Sequence, residues 1–288
     1  MTKAEYEALL VEIAGDPIGL LALRKREESE RAITAATVDH YWGLVALGDA
    51  IHQFYSDTLL EVAPRLIDGT AATTEYISAQ WHLVSFGRYA AAFDLFRRGY
   101  YFEAAALARG LWETALTLAA LKRGVVNVDQ LFGGPLGADG SSAKEMQVRM
   151  MRVDKQIQSA LIWKNSQLSQ SGRDAVETFL TLVNAATHKS KLHLALNLSR
   201  IRQGKAIALF PTFDAKYTEG SANILFLATW CLMATISYVE GLLPRAPGQW
   251  SERYRKVMLA FSEGISPAPS RVTQRFAEVV DRVFVNSS

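Results

Sequence analysis

The chain has 288 residues, 49% of them hydrophobic and 21% charged, with a formal net charge of +2. This composition supplies a substantial core and excludes a disordered or collagen-like chain. Its single cysteine, Cys231, excludes an intrachain disulfide and a multi-cysteine metal site, and it fits a reducing, cytoplasmic compartment.

Helical periodicity dominates the N-terminal third of the chain. Thr2 and Glu5 form a capping-box pattern at the start of the first predicted helix, which the sequence Gly15-Asp16-Pro17 ends. Further helices are predicted over 18–33 and 37–67, and Pro64 is a candidate break in the second of these.

The next two segments predict an antiparallel helical hairpin. They read "TEYISAQWHLVSFGRYAAAFDLFRRG" and "YYFEAAALARGLWETALTLAALKRG", and each ends on two basic residues followed by glycine. Basic side chains and glycine are typical of a helix C-terminus, and the link between the segments is very short. A loop is predicted over 133–142, followed by helices over 143–166 and 171–188.

The pattern then changes to alternating apolar residues on both sides of Gln203-Gly204, which predicts a short β-hairpin near 195–210. Residues 220–239 are uncharged, and their number is close to that of a membrane span. Small polar residues and the lack of basic clusters at either end favour a central buried helix over 217–243, and no membrane.

Two more helices are predicted over 249–263 and 270–284. The expected fold class is therefore all-α, a multi-helix bundle with one short hairpin. We expect a helical domain over 1–243 and a C-terminal helical appendage over 244–288.

Charge is unevenly distributed along the chain. Residues 144–205 contain 11 Lys/Arg against 4 Asp/Glu, whereas residues 34–143 contain 7 against 11. Such a basic zone is either a surface for phosphate groups or a solvated helix face. The five histidines form no zinc-binding pattern and no glycine-rich nucleotide loop occurs, so the sequence predicts no metal or cofactor.

Two pairs of polar residues are candidates for a site. Arg109 and Glu113 are four apart on an Ala-rich helix that is expected to be buried. They form either an ion pair that ties two helices together or an anion site in which Glu113 orients Arg109.

The second pair is Asn184 and His188, also four apart, within "LVNAATHKSKLHL". His188 lies near a predicted helix end with Lys189 and Lys191 just beyond it. These residues are either a polar cap beside a loop or an anion-binding site in which His188 acts as a general acid or base.

The stretches "YYFEAAALARGLWETALTLAAL", "NAATH" and "ALFPTFD" together resemble helical families of unknown function near the HEPN superfamily, over roughly residues 75–243. Members of that superfamily are nucleotide-binding helical domains, and many are dimeric, metal-independent ribonucleases. Their motif is an Arg, often followed by a polar residue, with a His four to six residues after the Arg. Asn184 and His188 match the polar and His positions, but Val183 stands at the Arg position.

The sequence leaves two functions open. One is a nucleic-acid-facing protein, a weak or degenerate ribonuclease of a defence or toxin–antitoxin system with RNA as its partner. The other is a non-enzymatic helical dimer that binds a protein partner or small ligand. Whether the protein is an enzyme stays open at this point. The aromatic residues Tyr41, Trp42 and Trp81 are candidates for the dimer contact.

Overall fold

The computed structural model describes residues 2–15, 17–69, 72–132, 143–187, 215–242 and 272–285, with residues 252, 253, 256, 257, 259 and 260. These ranges are helical and contain no strand, which confirms the all-α class. The hairpin predicted near 195–210 and the loop predicted over 133–142 lie outside the described residues.

The described helices are given in chain order. They are α1 (Lys3–Gly15), α2 (Pro17–His40), α3 (Trp42–Ile67), α4 (Thr73–Arg97), α5 (Tyr101–Lys122), α6 (Val128–Phe132), α7 (Ala143–Gln158), α8 (Gln170–Thr187), α9 (Ala215–Ala234) and α10 (Val272–Val279). Helix α7 continues into a π-helical turn, Ser159–Trp163, and α10 into another, Val280–Val285. A 3₁₀ segment, Ile236–Leu242, follows α9.

The first helix begins as the sequence predicts. The Thr2 backbone N–H donates to the Glu5 carboxylate at 2.6 Å, and the Glu5 N–H donates to the Thr2 hydroxyl at 3.3 Å. These two bonds satisfy backbone donors that have no partner within the helix, so the capping box is confirmed.

The predicted boundary between 33 and 37 is wrong, because α2 runs without a break to His40. Ile33 and Thr37 are buried, and the Thr37 hydroxyl bonds the Tyr101 hydroxyl at 2.7 Å. Tertiary contacts therefore keep this Thr-rich segment helical against its weak intrinsic propensity. Pro64 does not break α3 either, because the helix continues to Ile67 and the Asp68 N–H donates to the Pro64 carbonyl at 2.9 Å, although Pro64 itself has no N–H to donate to the Leu60 carbonyl.

The predicted helical hairpin is confirmed, since α4 and α5 pack against each other over an extended interface. The chain reverses at Gly99, whose φ of 88° is a conformation that favours glycine, and the Tyr100 N–H donates to the Leu95 carbonyl at 2.8 Å. Gly124, with φ of 65°, ends α5 in the same way.

Helix α9 lies against α5 in the centre of the bundle. Within Thr218–Val239 the most apolar 18-residue window is 89% buried, as expected for a core helix, although its length and hydropathy would also suit a membrane span. Fully buried alanines on α5, among them Ala104, Ala108 and Ala115, let neighbouring helices approach closely.

The described part of the C-terminal segment also contributes to this core. The ring of Phe276 on α10 lies 5.9 Å from Trp112 on α5 and 5.4 Å from Phe179 on α8, measured between ring centroids. Phe284 lies 5.6 Å from the same tryptophan. The domain boundary at 243/244 stays a prediction, but residues 272–285 pack into the same hydrophobic core as the preceding helices.

Candidate anion-binding groove

The Arg109–Glu113 pair lies on the surface of α5. The Arg109 Nε donates to Glu113 Oε1 at 2.7 Å, and the two side chains are 32% and 51% exposed. The expected coupling of the two residues is confirmed, but their expected burial is wrong. Arg109 follows buried Ala108 and so lies about 100° further round the helix.

Asp154 on α7 faces this pair. Partial burial raises the pKa of the Asp154 carboxyl, the Glu113 carboxylate raises it further, and Arg109 opposes the rise. The three residues form a mixed-charge contact between α5 and α7, in which the positive charge of Arg109 is shared with two carboxylates. That sharing makes Arg109 a weak candidate for binding an external anion.

Asn184 is exposed on α8, whereas the preceding Val183 is fully buried. His188, Lys189 and Lys191 lie outside the described residues. No hydrogen bond or ion pair in the described part of the chain joins Asn184 to Arg109 or Glu113. Asn184 and His188 stay predictions as site residues.

A polar groove of about 420 Å³ lies where the end of α5 meets the π-helical turn after α7. Its described lining consists of Arg123, Val125, Ala160, Leu161, Lys164, Asn165, Ser166 and Gln167. This lining contains two cationic side chains and no carboxylate. An arrangement of this kind attracts anions and offers them several hydrogen-bond donors.

The α5 wall of the groove is held by two contacts. The Arg123 Nη2 donates to the Arg282 carbonyl at 2.6 Å, which joins the end of α5 to the π-helical turn after α10. Gln156 Nε2 donates to the Val125 carbonyl at 3.0 Å and ties α7 to the same wall. Arg123 is thereby positioned by elements that are far apart in sequence.

The opposite wall begins at the π-helical turn, where the Lys164 N–H donates to the Ser159 carbonyl at 2.8 Å. Asn165 closes the following turn, since its Nδ2 donates to the Leu161 carbonyl at 3.0 Å and its Oδ1 accepts from the Gln167 N–H at 3.0 Å. Such π-helical turns occur frequently at functional sites. Here the turn leaves Lys164 exposed at the groove.

Arg173 supports this wall from beneath. Its Nη1 donates to the carbonyls of Asn165 and Leu168, at 3.2 and 2.7 Å. Glu278 lies nearby but accepts bonds from the Ser169 N–H and hydroxyl, at 2.7 and 2.6 Å, which lower the pKa of its carboxyl. The Glu278 carboxylate is therefore engaged outside the groove lining.

The sequence prediction missed Arg123 altogether and counted Lys164 only as part of the basic zone. The available signals were "LKRG" at the end of α5 and "IWKNSQ" after α7. Each looks like an ordinary charged helix end when taken alone. Only the packing of α5, α7 and α10 brings the two cations to one groove.

A second polar cluster surrounds Glu30 on α2. Its carboxylate accepts a bond from the Tyr100 hydroxyl and further bonds from Arg98 at 2.8 Å and Arg26 at 2.9 Å. These contacts, the tyrosine first, lower the pKa of Glu30 to about 2. The cluster borders an open, largely apolar groove of about 700 Å³. Because the charged groups of this cluster bond one another, the cluster joins α2 to the link between α4 and α5.

His82 is a core residue whose two ring nitrogens both have partners. Its Nδ1 lies 3.1 Å from the Tyr55 hydroxyl, and its Nε2 lies 3.2 Å from the Thr235 carbonyl. Burial lowers the pKa of His82 to about 4, so the imidazole is neutral at pH 7. The Thr235 hydroxyl donates to the Leu232 carbonyl, which assigns the proton of His82 to Nε2.

Comparison of the chain with known protein families, with curated proteins and with solved structures finds no match. A functional assignment therefore depends on the groove and the charges around it. The resemblance to HEPN-like families stays an expectation from the sequence.

Proposed function

We propose that the chain is a HEPN-like helical protein that faces nucleic acid and holds RNA phosphates at the groove between α5 and α7. The observation that carries this proposal is the pair of cations, Arg123 and Lys164, in a groove whose described lining has no carboxylate. Phosphate groups attract such cations strongly, and this attraction supplies most non-specific binding to nucleic acids.

The basic zone supports an extended contact. Residues Arg152, Gln156 and Ala160 are spaced by four and so follow one row of α7 that ends at the groove. Arg152 is exposed on that row. Five further basic residues and no acidic ones occur in 188–205, which makes this part of the sequence suited to the same polyanion.

We expect binding rather than efficient cleavage. Val183, at the position where the related motif has its phosphate-stabilising Arg, is fully buried and carries no charge. Loss of an electrostatic contact of that kind costs roughly a hundredfold or more in rate. Metal-independent RNA cleavage that disappears in His188→Ala would contradict this expectation and identify His188 as a catalytic residue.

Lys164→Gln is the direct test of the groove. Fluorescence anisotropy with a labelled RNA should show weaker binding by this variant, and a salt dependence whose slope is smaller by about 0.7, because one phosphate contact is lost. Lys25→Gln on α2 makes the same charge change on an exposed side chain and is the matched control. Equal affinity and slope for wild type and Lys164→Gln would reject the proposed site.

Exposed apolar side chains favour the second candidate, a self-associating helical protein. Leu60 and Ile67 on α3 are 74% and 83% exposed, and Trp42 is 62% exposed. Large apolar groups of this kind are typical of interaction surfaces when they are contiguous. The prediction that Tyr41 contributes to the dimer contact is wrong, because its side chain is buried and its hydroxyl bonds the Thr218 hydroxyl at 2.7 Å. Light scattering at working concentration tests the dimer, which a monomeric mass would reject.

A further inference from the structure

Trp163 directly precedes Lys164 of the cationic groove in the chain and is itself exposed, although it is not among the described residues that line the groove. It is the last residue of the π-helical turn, and it is 42% exposed although the two residues before it, Leu161 and Ile162, are buried. Among the described residues no ring contact or hydrogen bond to its indole occurs. Trp112, by contrast, is buried among aromatic rings. Packing in the hydrophobic core therefore does not account for the Trp163 indole.

Lys164 lines the groove, and Trp163 is the residue before it on the same helical turn, with its side chain on a neighbouring arc. A strand whose phosphate lies at the Lys164 ammonium can therefore bring a neighbouring base to the exposed indole. Aromatic side chains beside a cationic groove are the usual platform for unpaired bases, because every base has a face that can stack. Bases within a duplex are already stacked on each other and are not available to such a platform.

We infer that the groove and Trp163 form a binding site for single-stranded nucleic acid, with phosphates at Arg123 and Lys164 and a base stacked on the Trp163 indole. This inference rests on the proposed function and narrows it to unpaired strands. It adds a base contact to a site that was so far described only by its charge.

The test compares Trp163→Ala and Trp163→Phe with wild type. The probes are a fluorescein-labelled single-stranded 12-mer RNA, the same sequence as a duplex, and inorganic tripolyphosphate as a competitor. Tyr76→Ala is the control, because it removes an aromatic ring from α4 that is 43% exposed, as much as Trp163. Circular dichroism of each variant monitors folding, which loss of an exposed ring should not disturb.

Wild type should bind the single strand more tightly than the duplex. Trp163→Ala should weaken single-strand binding by about 5- to 100-fold, Trp163→Phe should retain most of it, and Tyr76→Ala should leave it unchanged. Competition by tripolyphosphate should be equal in wild type and in Trp163→Ala, because the cations remain.

Two results would overturn the inference while leaving the proposed function in place. One is equal single-strand affinity for Trp163→Ala and wild type when Lys164→Gln still weakens binding. The other is duplex binding by wild type as tight as single-strand binding. If wild type binds neither RNA nor tripolyphosphate at low salt, the proposed function itself fails, and the stacking site fails with it.

Discussion

The buried His82 should make the protein less stable as the pH falls from 7 to 5. Its pKa is about 4 in the folded chain against 6.5 for an unperturbed histidine. The unfolded chain therefore binds a proton at a higher pH than the folded chain does. The free energy of unfolding is unaffected well above pH 6.5, begins to fall as the pH passes 6.5, and stops falling near pH 4.

The size of this effect follows from the two pKa values. A difference of about 2.5 between them, at about 1.36 kcal/mol for each pKa unit, corresponds to about 3 kcal/mol over the whole range. About 2 kcal/mol of this should be lost by pH 5. That is a large share of the roughly 5–15 kcal/mol by which folded domains are stable.

The assay is urea unfolding followed by circular dichroism at pH 7, 6 and 5, for wild type and His82→Gln. A glutamine amide can accept from the Tyr55 hydroxyl and donate to the Thr235 carbonyl without titrating in this range. The difference between the two proteins should therefore shrink or reverse as the pH falls. Carboxylates with lowered pKa values, such as Glu30, titrate below this window. The same pH dependence in both proteins would refute the assignment of His82 as the titrating group.

Three further substitutions test the packing and the surface charges. Gly48→Ala should lower the free energy of unfolding in urea by about 1–3 kcal/mol, because the added Cβ would lie 2.1 Å from the Phe93 ring. Gly87→Ala, whose Cβ would have no heavy atom within 4 Å, should instead stabilise α4 by about 0.5–1 kcal/mol. Equal effects of the two substitutions would contradict the close approach of α3 and α4. Glu30→Gln should lower the melting temperature at pH 7 and make little difference to it near pH 2. The lowered pKa of Glu30 adds stability that is present above pH 4.5 and is lost as the pH falls to about 2. A lower melting temperature of the variant that persists at pH 2 would show another cause. Arg109→Ala should cost about 1 kcal/mol or less, since Glu113 on the same helix and Asp154 on α7 both lie at the surface. A loss of several kcal/mol would contradict the exposure of this contact.

Local patterns in the sequence determined the helical class and most helix ends. The capping box at Thr2 and the glycines at 99 and 124 act on backbone bonds within a few residues, so their effect can be predicted without knowing the fold. The burial of 220–239 could also be predicted, because a long uncharged helix has no solvated face. Where α2 ends could not be predicted, since the contact between Thr37 and Tyr101 decides it.

The groove depended wholly on tertiary structure. Arg123, Lys164 and Arg282 are separated by 41 and 118 positions in the sequence, and no periodicity links residues so far apart. The exposure of Arg109 and of Trp163 was equally inaccessible, because it depends on which arc of each helix meets a neighbour. Sequence patterns specify which helices form and where their apolar faces lie. The packing of those faces decides which polar residues come together, since a side chain's environment is set by the elements around it rather than by its neighbours along the chain.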